Sequence, residues 1–196
     1  MIPRVFHYVW VGGDLPKQHR KWMDDNMRLH AGDPTWEMRL WTDSDVDQFK
    51  TAGMIKEARR PAQKADIMRI EIVYEHGGVY LDTDTEVLRR FDPLLGDEAF
   101  AGLQQENYLC TTPLGAVPKS AFFSKLMGAL ETRKVNGDIL KQTANTFVTE
   151  FWLANQDLPL AVYPTHCFCP YLWWDKPPLA YSPETFCVHH WNQSWV

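Results

Sequence analysis

In the stretch GGVYLDTDTE (77–86), two carboxylates, Asp82 and Asp84, stand one residue apart at the end of an apolar run, and Tyr80 shares their alternation. On an extended strand side chains alternate and the chain advances about 3.3 Å per residue, so the two acids would share a face about 6.6 Å apart. Hard oxygens at that spacing suit Mg²⁺ or Mn²⁺, held directly or through water. Such an ion keeps open positions that substrate phosphates fill. Acids at i, i+2 are also ordinary at a solvated strand end, so the pair alone does not decide between the two. Glu86 followed by Val87 breaks the pattern of an EF-hand loop. A glycoside hydrolase using Asp82 and Asp84, or a metal-dependent phosphatase with its acids at a strand end, remains as an alternative.

Other residues could complete such a site. Asp66 and Arg69 are spaced i, i+3, which puts them on one helix face. They read either as a surface ion pair or as a carboxylate and guanidinium that grip sugar hydroxyls and phosphate. Trp10 ends an apolar run and reads as a core side chain or a stacking platform. A second cluster (His166, Cys167, Cys169, Cys187, His189 and His190) offers zinc ligands, but its spacing fits no standard Cys-x₂-Cys pattern. Buried thiols are the plainer reading of its cysteines.

The elements that would position these groups alternate. RVFHYVWVGG (4–13) reads as a strand buried on both faces that runs into a Gly-Gly turn. A helix follows over 19–29 and a second strand over 36–43. Ser44 reads as the N-cap of the next helix, with Asp47 three residues on. Residues 61–78 form the clearest helix, with Pro61 in its first turn and Gly77 as its stop. One or two strands are expected over 99–118, helices over 119–133 and 138–154, a strand and turn over 160–170, and irregular chain thereafter. Strand and helix in alternation give an α/β fold.

The whole chain sets limits. Its 196 residues, with 45 % apolar and 23 % charged content, fit one soluble domain spanning 1–196. The net charge of −5 opposes long-range attraction to nucleic acid. No apolar run reaches the length of a membrane span, and no leader is evident at the start. Four cysteines without an even framework read as reduced thiols, so a cytoplasmic setting is expected. Nine tryptophans are many for this length and fit either a heavily aromatic core or a site that stacks rings and sugars.

KADIMRIEIVYEHGGVYLDTDTE (64–86) closely resembles the signature of glycosyltransferases with the DxD sugar-binding region, the group that includes glycosyltransferase family 32 and the large glucosylating toxins of clostridia. HYVWVGGDLP (7–16), VYPTHCFCP (162–170) and VHHWNQSW (188–195) resemble further stretches of that family. The resemblance implies a GT-A fold, a Rossmann-like mixed sheet flanked by helices. It implies a retaining hexosyl transfer from a UDP-sugar, with Mn²⁺ or Mg²⁺ bridging the diphosphate. By position, Val9 and Trp10 would contact the uracil and Asp43 the ribose or base, unless Asp43 only caps a helix. Asp66 and Arg69 would hold the donor sugar, and Tyr80 would lie near ribose and sugar. Asp82 would contact ribose and sugar and help hold the metal, and Asp84 would ligate it. His189, or else His190, would add a ligand, and Ser194 and Trp195 would donate to the diphosphate. The chain departs from the family in ENYLCTTPLGAVP (106–118), where Asn107, Thr111 or Thr112 would replace an expected Asn, and in QTANTF (142–147). Both regions are expected to face the acceptor, so its class stays open: a surface glycan or lipid precursor, a modified nucleic-acid base, or a protein.

Overall fold

The computed structural model describes residues 1–135 and 138–192. A six-stranded mixed sheet runs through the molecule in the order β2-β1-β3-β6-β5-β7. Strand β1 (Val5–Val9) pairs in parallel with β2 (Glu37–Trp41) on one side and β3 (Gly78–Tyr80) on the other. Strand β3 then meets β6 (Tyr108–Ala116) antiparallel, and β6 forms a hairpin with β5 (Ala99–Gln105). The edge strand β7 (Ala161–Tyr163) is parallel to β5. Away from this sheet, β4 (Thr85–Val87) pairs antiparallel with β8 (Cys187–His189).

Two cores cover the two faces. Phe6, Tyr8 and Val79 point into one, with Met23, Phe91, Phe168 and Phe186. Val9 and Tyr80 point into the other, with Ile67, Ile70, Phe122 and Phe147. The alternation within β1 and β3 explains why the first strand reads as apolar throughout: both of its faces meet a core. The first face is covered by helix α1 (Lys17–His30) and by β4. The second is covered by α2 (Ala52–Glu57), α3 (Pro61–His76), α4 (Ala121–Glu131) and α6 (Asn145–Ala154).

Helix α3 decides the site. Ile67, Met68, Ile70, Ile72 and Val73 are all fully buried, each contributing about 1.5–3 kcal/mol. A helix apolar on every side lies inside the protein, and its polar residues Asp66, Arg69 and Glu71 are buried with it. The surface ion pair is thereby excluded. Gly77 and Gly78 turn the chain from α3 into β3 with φ of 66° and 77°. A Cβ at Gly77 would lie 2.6 Å from Pro118, and one at Gly78 would lie 2.8 Å from the Val5 carbonyl oxygen. Only glycine fits this reversal.

Several sequence expectations are corrected. Strand β3 ends at Tyr80, so Asp82-Thr83-Asp84 forms a turn between β3 and β4. After β2, a short 3₁₀ helix (Asp43–Gln48) is capped by Thr42 and Asp45, two residues before the expected pair, because Thr42 is where the backbone leaves the extended form. The helix expected over 138–154 is two, α5 (Ile139–Gln142) and α6, broken at Thr143 and Ala144. The irregular C-terminal stretch contains β8, preceded by α7 (Thr165–Phe168) at the end of the expected strand and turn.

Candidate active site

Arg69 projects from α3 beneath the turn after β3. Its Nη2 lies 2.7 Å from Asp66 Oδ1 and 3.4 Å from Asp82 Oδ1. Its Nη1 donates to Thr111 Oγ1 at 2.7 Å and to the Thr111 carbonyl at 3.2 Å. Thr111 Oγ1 in turn donates to Asn145 Oδ1 at 2.9 Å, at the start of α6. The guanidinium packs over the Tyr80 ring, whose hydroxyl donates to Asp82 Oδ1 at 2.7 Å. Buried charges persist when paired and hydrogen-bonded in this way. Burial pushes the Asp66 carboxyl up to about 7, against the pull of Arg69 and with the help of Asp82. Burial opposes the Arg69 cation, yet Asp82, Tyr80 and Asp66 around it raise its pKa.

Asp82 and Asp84 converge with His189. The ligand atoms of these three residues lie within 4.8 Å of one another. His189 Nε2 is 3.1 Å from Asp84 Oδ1 and 3.8 Å from Asp82 Oδ2. Neither contact has hydrogen-bond geometry, and both ring nitrogens are buried without a hydrogen-bond partner among the described residues. Burial works against a charged His189, but Asp84 and Asp82 beside it raise its pKa well above the ordinary value. Burial likewise works against a charged Asp84, but His189 holds the carboxyl below its usual range. A pocket of two carboxylates that calls for positive charge, with an unpartnered imidazole aimed into it, fits a divalent cation.

This cluster is assembled from far apart in the chain. The β4–β8 pairing sets Thr85 opposite His189. The Asn192 amide donates to Asp84 Oδ2 at 2.8 Å, and the His190 amide to the Asp84 carbonyl at 3.0 Å. From α1, buried Asn26 donates to the Thr85 carbonyl at 2.9 Å and accepts from the Val87 amide at 2.8 Å. His19 meets the Thr83 hydroxyl at 2.9 Å and Asn192 at 3.1 Å. On β6, Thr112 Oγ1 accepts from the Asp82 amide at 2.9 Å.

Val9, Trp10, Asp66, Arg69, Tyr80, Asp82, Asp84 and His189 all line one cleft of about 520 Å³. Trp10 is half-buried, and its indole donates to the Gly13 carbonyl at 3.0 Å while its edge meets His19. Asp43 is not in the cleft wall; its carboxylate accepts from the Gly12 amide at 2.8 Å and so fixes the Gly-Gly turn beside Trp10. Alternation along β8 turns His190 away from the cluster, where it meets Glu86 Oε2 at 2.9 Å and stacks on Trp22. Ser194 and Trp195 lie outside the described residues.

Sequence reading gave no site role to His19, Asn26, Tyr108, Cys110 and Trp173, and marked Trp191 and Asn192 only within the 188–195 resemblance. Of these, Tyr108, Cys110, Trp173 and Trp191 line the cleft. Asn145, noted only as part of a departure, lines it too, as do Thr111 and Thr112, whereas Asn107 sits in the β5–β6 turn with a positive φ. A buried Asn such as Asn26 has no signature at the level of spacing; only the turn it holds reveals it. The alternative zinc cluster does not form among the described residues: His166 pairs with Glu184, His190 with Glu86, and all four cysteines are free thiols.

The fold is that of GT-A glycosyltransferases. A solved structure titled "PaToxG Glycosyltransferase" superposes with a TM-score of 0.61, covering 80 % of this chain and 69 % of that one at 14 % identity. The glycosyltransferase GlyE of Streptococcus pneumoniae gives a TM-score of 0.50 over 100 % of this chain and 58 % of its own. Residues 16–101 match the model of the family described as "Glycosyltransferase sugar-binding region containing DXD motif", so the resemblance read from the acidic turn and α3 holds. Among relatives, a mannosyl phosphorylinositol ceramide synthase of Saccharomyces cerevisiae is 29 % identical over 78 % of this chain. An inositol phosphoceramide mannosyltransferase of Schizosaccharomyces pombe is 26 % identical over 99 % of it. This chain spans 43 % of the first relative's length and 62 % of the second's. An uncharacterized glycosyltransferase of Acanthamoeba polyphaga mimivirus is 27 % identical over 49 % of this chain. The matching family model and the named relatives are those of glycosyltransferases.

Proposed function

We propose that the protein is a metal-dependent, retaining hexosyltransferase that moves a sugar from a nucleoside diphosphate donor to a hydroxyl of a lipid-linked acceptor. The observation that carries this reading is the convergence of Asp82, Asp84 and His189 beside the Arg69–Asp66 pair in the cleft that also contains Trp10. Asp82, Asp84 and His189 would hold a divalent cation, which would supply Lewis-acid stabilisation of a departing diphosphate. The Trp10 ring would stack on the base, with Val9 also in the cleft wall and Asp43 steadying the Gly-Gly turn.

Asp66, Arg69 and Tyr80 hold the hexose so that one face of its anomeric carbon meets the acceptor. The acceptor oxygen forms the new bond to that carbon as the bond to the phosphate oxygen breaks. The leaving phosphate takes the acceptor's proton on the same face. Arg69 stays charged throughout and faces the charge that develops on the diphosphate. No general acid is required, because a nucleoside diphosphate leaves as an anion.

The sequence resemblance favours a UDP-hexose as donor, and the relatives' names favour a mannosyl donor. Their names also favour an inositol-phosphoceramide-like lipid among the acceptor classes left open by the sequence. Four free thiols fit a cytoplasmic setting. No described helix is long and apolar enough to cross a membrane. The hydrolase alternative fits less well: a glycosidase pair faces across the scissile bond with one carboxyl protonated, whereas here both acids crowd one imidazole.

The test is nucleotide release from a panel of UDP- and GDP-hexoses without acceptor, with Mn²⁺, with Mg²⁺ and with chelator. Metal-dependent release from one donor is expected. Release unaffected by chelator would overturn the metal assignment. Absence of release and of nucleotide binding across the whole panel would overturn the transferase reading.

A further inference from the structure

Four of the seven large apolar side chains exposed among the described residues lie on two segments that border the cleft. Three of them, Trp173, Trp174 and Leu179, sit on the loop 172–180, and the fourth, Leu140, lies on α5. Leu140 and Trp173 line the same cleft. Trp173 is 58 % exposed, Trp174 is 53 % exposed and Leu179 is fully exposed. The two indoles meet edge to face at 5.1 Å. The loop is held out from within: Asp175 accepts from the Leu172 amide and donates its own to the Leu172 carbonyl. Pro177 and Pro178 follow and restrict the backbone. At the base of the loop, the Trp191 indole donates to the Tyr171 carbonyl at 3.0 Å. The protein therefore spends ordered backbone on keeping large apolar groups in water.

Charge around this edge runs against that of the whole chain. Arg60 lines the cleft and Arg59 precedes it. Lys141 follows Leu140, and Arg133 donates to the Lys141 carbonyl; Lys176 is in the loop itself. None of these five cations is in an ion pair among the described residues, although the protein's net charge is −5. Asp138 and Asp175, neighbours of these cations in the chain, bond to the backbone of their own turns. Exposed Trp and Leu with unpaired Arg and Lys around them match the headgroup layer of a membrane, which takes indoles at its interface and attracts cations when its lipids are anionic.

We propose that the loop 172–180, with Leu140 opposite, docks the protein on an anionic bilayer surface so that the cleft opens onto the lipid headgroups. The surface is read independently of the reaction. Only its consequence, presentation of a lipid-linked hydroxyl to the cleft, rests on the transferase reading.

The test is co-sedimentation of the full chain with vesicles of phosphatidylcholine, alone and mixed with phosphatidylserine. The probe variant is the double substitution Trp174→Ser/Leu179→Ser, since neither residue lines the cleft. Wild-type protein should sediment with the mixed vesicles, and the variant should bind them at least about tenfold more weakly. Nucleotide release from donor in solution should be the same for both. Wild-type protein that stays in the supernatant, or a variant that sediments equally well, would overturn the proposal. So would a dimer in sedimentation equilibrium that dissolves in the variant, because the patch would then belong to a second copy. Donor turnover is measured apart from vesicle binding, so failure of the transfer reading and failure of docking give different results.

Discussion

The two halves of the site are built differently. Asp66, Arg69, Tyr80 and Asp82 come from α3 and the chain just after β3, inside the main sheet and its core. Each is tied to the others or to Thr111 and Thr112 on β6. His189 comes from the other end of the chain, on a three-residue strand paired only with β4. Its ring reaches the cluster without a hydrogen bond. The first half is preorganised to grip a sugar. The second brings a ligand to the metal position and is completed by what binds there. A guanidinium anchored on Asp66, Asp82 and Thr111 resists change even with its Nε unpartnered, whereas an imidazole with neither ring nitrogen bonded gains most from a ligand.

This contrast can be broken. Asp84→Asn should lower donor turnover by about 10²- to 10³-fold. It should also abolish the rise in melting temperature that Mn²⁺ produces, with little change in the metal-free protein, because it removes a buried charge there. Turnover unchanged in steady-state kinetics would remove Asp84 from the metal site. In the other half, Arg69→Lys keeps the charge but loses the fork that spans Asp66, Asp82 and Thr111. Turnover should fall on the order of a hundredfold through misplacement of the sugar, and the melting temperature should fall with it. A drop in turnover with full thermal stability would show that the pair is not structural as well.

His189→Ala sharpens the comparison. Metal affinity measured by calorimetry should fall by about 10- to 100-fold, with a smaller loss of stability than Arg69→Lys causes. Equal losses of stability would erase the distinction between the halves. Trp10→Ala should weaken nucleotide binding by about 1 to 3 kcal/mol if the indole stacks on the base. Unchanged affinity would make Trp10 a wall of the cleft and nothing more.

The smallest effect concerns the core beside β3. His7 accepts from the Trp41 indole at 3.2 Å, and burial, with His76 and Arg39 nearby, pushes its pKa from 6.5 down to about 3. Below pH 6.5 the unfolded chain takes up a proton that the native chain refuses until about pH 3. The stability contributed by neutral His7 is therefore complete above pH 6.5 and is lost as pH falls through that window. Urea midpoints measured from pH 7 downward should show this slope, and His7→Gln should flatten it. A slope that survives the substitution would assign it to other groups.

Much of the first half was legible in the sequence. The run of α3 is apolar on every side, so its Asp66 and Arg69 had to be buried or paired; Pro61 and Gly77 marked its ends. The glycines at 77 and 78 fixed where the chain reversed toward Tyr80 and Asp82. The acids themselves were visible, but their setting was not. Alternation predicts a strand through Asp84, whereas the chain leaves the sheet after Tyr80, because Leu81 bonds back to His7 and Asp82 to Thr112. Spacing along a strand would keep two carboxylates apart; a turn lets them close on one ion.

The second half depends on tertiary structure. Sequence resemblance marked the 188–195 segment, but two adjacent histidines are equivalent until a strand register separates them. Pairing of β8 with β4 turns His189 inward and His190 toward Glu86 and Trp22. Bonds from His19 to Thr83, Asn26 to Thr85 and Thr111 to Asn145 support the site across 64, 59 and 34 residues, and Asn192 reaches Asp84 across 108 and His19 across 173. Local pattern encodes helices, turns and buried faces because neighbours in sequence decide them. Which distant side chains share a cleft is decided by the packing of the two cores against the sheet, and no local spacing records it.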